Sequence, residues 1–308
     1  SLDVGTHRPE ILVTDSGDLL LIVVEHEDQG DVRVTHKGYR FDSEFNSLIE
    51  PFVVTFETEE YGHPADHRAT LINGQVIVVY QTLIVDPDEP EGGPSEDRAL
   101  SQSLMLARFD AETGEELDRQ PIAPEVTDFS LDNFPDHCLM WWEDRLLVST
   151  GSRSENHFRI REVDPFTSYP DNVLAVHDLT LSDESLPSDI GNSFLDLGDG
   201  NLWMFGSTGP HSTAQLQAAL LGADFAPQNK VGAFYDQEIE QSFPTGVLVS
   251  DDLVFVGSIF RPRGGDLSLE LNPYLPRLKV LSSDLQALLY DEAVGDGSFG
   301  AAHIHPTV

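Results

Sequence analysis

The sequence predicts an all-β protein that folds as a single β-propeller. Along 308 residues, one pattern occurs five times: a short apolar run, a tight polar turn and a second apolar run. The copies begin about 50 to 70 residues apart, which is typical of four-stranded propeller blades with long loops. Turns such as Asn-Gly and Asp-Gly tolerate positive φ and so indicate hairpins. Five blades are therefore expected, formed almost without helices.

Each copy predicts the first two strands of a blade. The five hairpins, each given as first run, turn and second run, are 10–13, 14–18 and 19–24; 69–72, 73–74 and 76–80; 138–142, 143–144 and 146–149; 193–197, 198–200 and 202–205; and 246–249, 250–252 and 253–256. Strand-like sequence for a third strand follows at 103–110, 158–163, 217–225 and 278–282. Residues 214–221 could form a helical turn, but a strand fits the repeat better.

The repeat covers the whole chain, so we expect one domain at 1–308. The predicted blades are 5–62, 63–132, 133–188, 189–239 and 240–300, with a closing strand at 301–308. Residues 86–97, rich in Asp, Glu, Pro and Gly, predict a solvated loop inside the second blade. A β-sandwich or two smaller all-β domains are the alternatives. Residues 302–308 also resemble the start of a further copy, so six blades remain an alternative to five.

The composition excludes several classes of protein. The chain has 54 Asp+Glu against 17 Lys+Arg, a formal net charge of −37, yet 40% of its residues are hydrophobic. This hydrophobic share is too high for a disordered acidic chain, and the acidity argues against a nucleic-acid partner. No apolar run is long enough to predict a membrane span. The single cysteine excludes an internal disulfide framework.

The acidity is combined with a scarcity of lysine. The lysines are Lys37, Lys230 and Lys279, and the other basic residues are arginines. This bias resembles the proteins of salt-loving microbes, in which salt screens the repulsion between surface carboxylates. The first residues show no basic and apolar leader. A secreted or periplasmic location is slightly favoured, with a salt-rich cytoplasm as the alternative.

Polar residues cluster where the predicted blades would meet the propeller axis. The loops that enter each innermost strand and those that leave each second strand lie on the same face of a propeller. The carboxylates there suit general acid and base chemistry on a glycosidic bond, which usually requires two carboxyl groups. The candidate catalytic residues are Asp66, Asp136 and Glu25. The candidate substrate-binding residues are Arg8, Arg68, Arg153, Arg261 and Asn192, because guanidinium groups bind planar oxyanions bidentately.

Histidines recur at the same predicted positions and suggest a second chemistry. Four imidazoles on the axis could bind one divalent metal, with carboxylates such as Asp66 orienting them. The candidate ligands are His7, His67, His137 and His303. In a third interpretation the protein is non-catalytic, and Asp-His pairs only tie neighbouring blades together.

Two other residue types have mainly structural interpretations. Trp141, Trp142 and Trp203 are expected to pack between blades, with a sugar-stacking platform as the alternative for one of them. Cys138 lies inside an apolar run and is expected to be a small buried hydrophobe.

The first hairpin also resembles a known family. Residues 7–20 read His-Arg-Pro-Glu-Ile-Leu-Val-Thr-Asp-Ser-Gly-Asp-Leu-Leu and are similar to the opening blade of sialidase-like, BNR-repeat propellers. The resemblance implies a propeller that acts on or binds carbohydrate. It also implies an arginine cluster for a sugar carboxylate, for which Arg8, Arg68 and Arg261 are the candidates.

Together these observations predict a carbohydrate-active propeller similar to glycoside hydrolases, with a central polar pocket for an acidic sugar. The expected partner is an oligosaccharide or another small molecule. The alternatives are a metal-centred enzyme and a non-catalytic propeller that binds glycan or protein.

Overall fold

The structure is a computed structural model that describes part of the chain. The described residues are 10–29, 31–55, 63–85, 99–126, 133–152, 157–180, 189–196, 202–208, 215–222, 224–225, 227–231, 239–250, 253–262, 275–282, 285 and 287–293. In parts of these strands only the backbone is described. Residues 86–98 and 294–308, which include the predicted acidic loop and the closing strand, lie outside the described residues.

The described part of the chain contains five four-stranded sheets and no helix. Strands of the first two sheets are β1 (Glu10–Val13), β2 (Leu19–Gln29), β3 (Asp31–Phe41), β4 (Phe52–Thr55), and β5 (His63–Ile72), β6 (Gln75–Val85), β7 (Ala99–Asp110), β8 (Glu116–Val126). Strands of the third are β9 (Asn133–Trp142), β10 (Arg145–Ser152), β11 (His157–Val163), β12 (Val173–Thr180). Strands of the last two are β13 (Asp189–Asp196), β14 (Leu202–Thr208), β15 (Gln215–Leu221), β16 (Pro227–Val231), and β17 (Ile239–Ser250), β18 (Leu253–Pro262), β19 (Leu275–Ser282), β20 (Leu288–Ala293).

Within each sheet the strands are neighbours in chain order, so every sheet is a meander. This is the strand arrangement of a propeller blade, and it confirms the predicted all-β class with five blades. Residues 215–221 are a strand, as the repeat predicted, and not a helical turn. No helix among the described residues is long and apolar enough to cross a membrane.

Two hairpins show why their turn residues were informative. At the β5–β6 turn Asn73 and Gly74 have φ of 52° and 73°, and at the β9–β10 turn Glu143 and Asp144 have φ of 49° and 64°. Two successive residues with positive φ form a type I′ turn, whose twist matches that of paired strands. The two hairpins therefore have the same geometry, although only one has the favoured Asn-Gly sequence.

The chain divides into two compact units. The first contains β1 to β8 with residues 139–148 and 161–176, and the second contains β13 to β20 with residues 136–138, 149–160 and 177–188. In the first unit, β6 is buried on both faces: Val76 and Val78 belong to one apolar cluster, while Ile77 and Val79 belong to another. This explains why its sequence is continuously apolar instead of alternating. The second unit has its own core around Phe205, Val254 and Leu281.

Arg119 on β8 ties the first two blades together. Its guanidinium donates to the Tyr80 hydroxyl at 2.5 Å and to the Val54 carbonyl on β4 at 2.8 Å, and it pairs with Glu116 at 2.7 Å. Burial alone would lower the pKa of Arg119, but the bonds to Glu116 and Tyr80 outweigh it and raise that pKa. The side chain remains charged and satisfies an outer-strand carbonyl of the neighbouring blade.

An aspartate stabilises the turn after the third strand in three blades. The carboxylate of Asp42 accepts from the backbone N–H groups of Glu44 and Asn46 at 2.9 and 2.8 Å. Asp110 accepts from Glu112 and Thr113 at 3.0 and 2.8 Å, and Asp164 accepts from Phe166 at 2.9 Å. Each aspartate thereby satisfies N–H groups that the strand ladder cannot reach.

These caps predict a pH dependence of stability. Bonds from the side chain and backbone of Asn46 lower the pKa of Asp42, and bonds from Thr113 lower the pKa of Asp110, in both cases below 3.8. A lowered folded-state pKa contributes stability above the unfolded value and loses it as the pH falls through the folded value. The double variant Asp42→Asn, Asp110→Asn should therefore lose less stability than the wild type on acidification below pH 3.8. Urea unfolding midpoints measured from pH 6 to pH 3 test this, and parallel curves for the two proteins would contradict it.

Candidate functional site

The two Asp-His pairs lie at equivalent positions on β5 and β9. Asp66 is as far from the last residue of its strand, Ile72, as Asp136 is from Trp142. Both strands then enter the same type I′ turn. The two aspartates therefore lie at the same level of their own blades, where level means the number of residues from the hairpin turn. The equivalence inferred from sequence is therefore matched by the backbone.

Asp66 lies in a β-bulge. The register of β5 against β6 slips between Pro64, which faces Thr82, and His67, which faces Tyr80. Two residues of β5, Ala65 and Asp66, therefore lie opposite the single residue Gln81. A bulge re-aims side chains and is frequent beside active sites.

Two other innermost strands are also irregular. The register of β13 slips between Asp189 and Ser193, an interval that includes the candidate Asn192. The register of β17 slips between Pro244 and Gly246, and again near its start. The pairing of four innermost strands is described in detail. Of these, β5, β13 and β17 contain a slip in register, and β1 does not.

Glu25 occupies on β2 the position that Gln81 occupies on β6. Each lies equally far from the first residue of its strand, Leu19 or Gln75. In the second blade this is the level of the Asp66 bulge. The backbone thus brings Glu25 and Asp66 to the same level of two adjacent blades in the first unit.

At this level, β6 and β7 carry buried polar side chains instead of apolar ones. Gln81 donates from Nε2 to Oε1 of Gln102 at 2.8 Å, and both side chains are buried. The Oε1 atom of Gln81 and the Oγ1 atom of Thr82 are buried and accept no hydrogen bond from the described protein. Gln102 was not among the residues predicted for the site. A signal was present in the polar stretch Ser101-Gln102-Ser103, which precedes the apolar run of β7.

Arg68 is held by a buried carboxylate. Its side chain is 9% exposed, and Nη1 lies 3.6 Å from Oε1 of Glu10 on β1. Nη1 also donates to the carbonyl of His67 at 3.0 Å. This pair joins the innermost strands of two blades, so the Arg68 charge is already balanced inside the protein.

The two described candidate histidines are also buried. The ring of His67 lies 4.6 Å from the ring of His36 on β3, centroid to centroid. His137 is buried beside Cys138, whose Sγ is 2.7 Å from Oγ of Ser149. Cys138 is a buried free thiol. No group of three His, Cys, Asp or Glu side chains suited to a metal occurs in the described part of the chain.

The remaining predicted residues are described in part or lie outside the described residues. Asp66, Asp136, Glu25, Asn192 and Arg261 belong to strands of which only the backbone is described at those positions. His7, Arg8, Arg153 and His303 lie outside the described residues. The set with four histidines and the set with four arginines therefore stay predictions.

Comparison with known proteins identifies similar folds but no close relative. No family model matches the chain, and no curated protein matches its sequence. A GH43_1 enzyme from Xanthomonas citri complexed with xylotriose is similar over 99% of this chain and 95% of its own, with a TM-score of 0.54 and 11% identity. The NanB sialidase from Streptococcus pneumoniae is similar over 97% of this chain and 63% of its own, with a TM-score of 0.58 and 9% identity.

Xylan beta-1,4-xylosidase from Bacillus Halodurans C-125 is similar over 98% of this chain and 57% of its own, with a TM-score of 0.52 and 12% identity. The chain has the fold of a β-propeller. The resemblance of residues 7–20 to sialidase-like propellers is thereby confirmed at the level of the fold. At these identities the likeness supports no statement about activity.

Proposed function

We propose that the protein is a glycoside hydrolase acting on an oligosaccharide, with Asp66 and Glu25 as its pair of carboxyl groups. The observation that carries this proposal is the common level of the two residues on adjacent blades, with Asp66 in a bulge. Hydrolysis of a glycosidic bond usually requires two carboxyl groups on either side of that bond. Asp136, at the equivalent level of the third blade, is the candidate for a further polar role.

The similar structures support the choice of substrate. Xylotriose and xylose are bound by the GH43_1 enzyme, and a xylosidase and a sialidase share the fold. We propose a pentose-containing oligosaccharide as the first substrate to test. The acidic sugar expected from the sequence depends on Arg8, Arg153 and Arg261, since the charge of Arg68 is balanced by Glu10.

The test is hydrolysis of aryl xylosides, aryl arabinofuranosides, xylotriose and aryl sialosides in buffer with and without added salt. Asp66→Asn and Glu25→Gln should each lower kcat by about a hundredfold or more, as expected for a lost general acid or base. Asp15→Asn is the matched control, because Asp15 is exposed in the β1–β2 turn. No hydrolysis of any substrate by the wild type, or unchanged kcat in both variants, would contradict the proposal.

A further inference from the structure

The loop between β11 and β12 presents two exposed aromatic rings. Phe166 is 40% exposed and Tyr169 is 43% exposed, and both lie in this short connection. The rings of Phe166 and Trp141 pack edge to face with their centroids 6.4 Å apart, and the guanidinium carbon of Arg108 lies 5.5 Å from the centroid of the Phe166 ring. We refer to Arg108, Trp141, Phe166 and Tyr169 as the Phe166 surface.

The loop that carries Phe166 and Tyr169 is bonded to β8 at three points. Gln120 donates to the carbonyl of Thr167 at 2.8 Å and accepts from the N–H of Tyr169 at 2.7 Å. Asn172 donates to the carbonyl of Pro121 at 3.1 Å. The aromatic side chains therefore extend from a fixed backbone, and little conformational freedom would be lost when a ligand binds.

The charges of the surface do not suit an anionic ligand. Arg108 pairs with Asp118 at 3.4 Å and donates to Oε1 of Gln75 at 3.1 Å. Its positive charge is thus balanced locally, while the whole chain has a net charge of −37. Acidic polymers would be repelled. A neutral ligand with apolar C–H faces, such as a sugar ring, fits exposed aromatic rings between balanced charges.

The surface is distant from the Asp66 bulge along the second blade. Arg108 faces Ile77 in the register of β6 and β7, whereas Asp66 lies opposite Gln81. Four residues of strand separate these levels by about 13 Å. A sugar ring bound at the Phe166 surface would therefore not occupy the catalytic position.

We propose that the Phe166 surface is a second, non-catalytic binding site for a neutral polysaccharide. The choice of polysaccharide rests on the proposed function, whereas the binding surface does not require hydrolysis.

The test is electrophoresis in native gels containing neutral arabinoxylan, with polygalacturonate gels in parallel. Arabinoxylan should retard the wild type, and Phe166→Ala with Tyr169→Ala should lower the apparent affinity about tenfold, as expected when two ring contacts are lost. Phe166→Leu keeps an apolar side chain and guards against misfolding, yet it should also weaken retardation. The matched control is Phe45→Ala, which removes an aromatic ring that is 74% exposed on another loop.

Several results would overturn the proposal: no retardation of the wild type, equal retardation of the double variant, equal loss in Phe45→Ala, or retardation by polygalacturonate alone. A change of sedimentation coefficient in the double variant would instead assign the surface to contact between copies. Hydrolysis of xylotriose should be unchanged in the double variant. If the wild type hydrolyses nothing but is retarded by arabinoxylan, the proposed function fails while the binding surface stands.

Discussion

Asp291→Ala should destabilise the second unit more than Lys279→Met. Lys279 is 0% exposed, and its Nζ donates to Oδ2 of Asp291 on the neighbouring strand at 2.7 Å. Removing the carboxylate takes a counter-charge away from a buried ammonium group, and breaking a buried ion pair in this way typically costs about 3–5 kcal/mol. Urea unfolding followed by fluorescence measures this cost.

The reverse substitution should cost less. The Asp291 side chain is 15% exposed, so after Lys279→Met water can hydrate part of its carboxylate. Methionine also keeps most of the buried volume of the lysine stem. The double variant Lys279→Met, Asp291→Ala should therefore be more stable than Asp291→Ala alone. If Asp291→Ala has the lowest free energy of unfolding of the three variants, the cost comes from burying a charge. Loss of a simple contact would make the two single variants equally stable.

Lys37→Met is the matched control, because Lys37 lies on β3 and is partly exposed. It should change the free energy of unfolding by about 0.5 kcal/mol or less. A loss as large as that of Lys279→Met would mean that removal of a lysine at any position, and not loss of the buried ion pair, explains the effect of Lys279→Met. Equal stability of Asp291→Ala and the double variant would also contradict the argument.

The parts of the fold that depend on local signals were predictable from the sequence. Each predicted hairpin exists, because its turn residues and paired apolar runs act over only a few positions. The third strand of the first blade was not among the predicted ones. Residues 31–41 contain Arg33, His36, Lys37 and Arg40 and lack an apolar run, although His36 is fully buried in the blade.

The candidate site was only partly predictable for the same reason. The levels of Asp66, Asp136 and Glu25 follow from counting along regular strands, which sequence permits. The bulge at Asp66 and the ion pair of Arg68 with Glu10 depend on strands that are distant in sequence. A single sequence contains no signal for such pairings, and the role of Arg68 in binding a substrate stays a prediction.

The second large effect is expected at Gly114, in the turn between β7 and β8. Gly114 has φ of 72°, and a Cβ atom there would lie 2.6 Å from Cδ1 of Phe52 on β4. Gly114→Ala should therefore combine backbone strain with overpacking against a ring that also contacts Phe109 at 5.4 Å. Overpacking of this kind costs about 1–3 kcal/mol beyond the strain itself. Thermal and urea unfolding measure the sum.

Gly74→Ala separates the two contributions. Gly74 has φ of 73°, nearly the same as Gly114, but a Cβ atom there would meet nothing within 4 Å. It should show the strain alone, about 1 kcal/mol. In a Phe52→Ala background, which itself costs about 3 kcal/mol, the cost of Gly114→Ala should fall close to that of Gly74→Ala, because the ring is gone and only the Cβ atom of residue 52, at 3.1 Å, remains near the new methyl group. If Gly114→Ala keeps its excess cost in that background, the ring of Phe52 is not the cause, and the packing of the first two blades depends on the turn backbone instead.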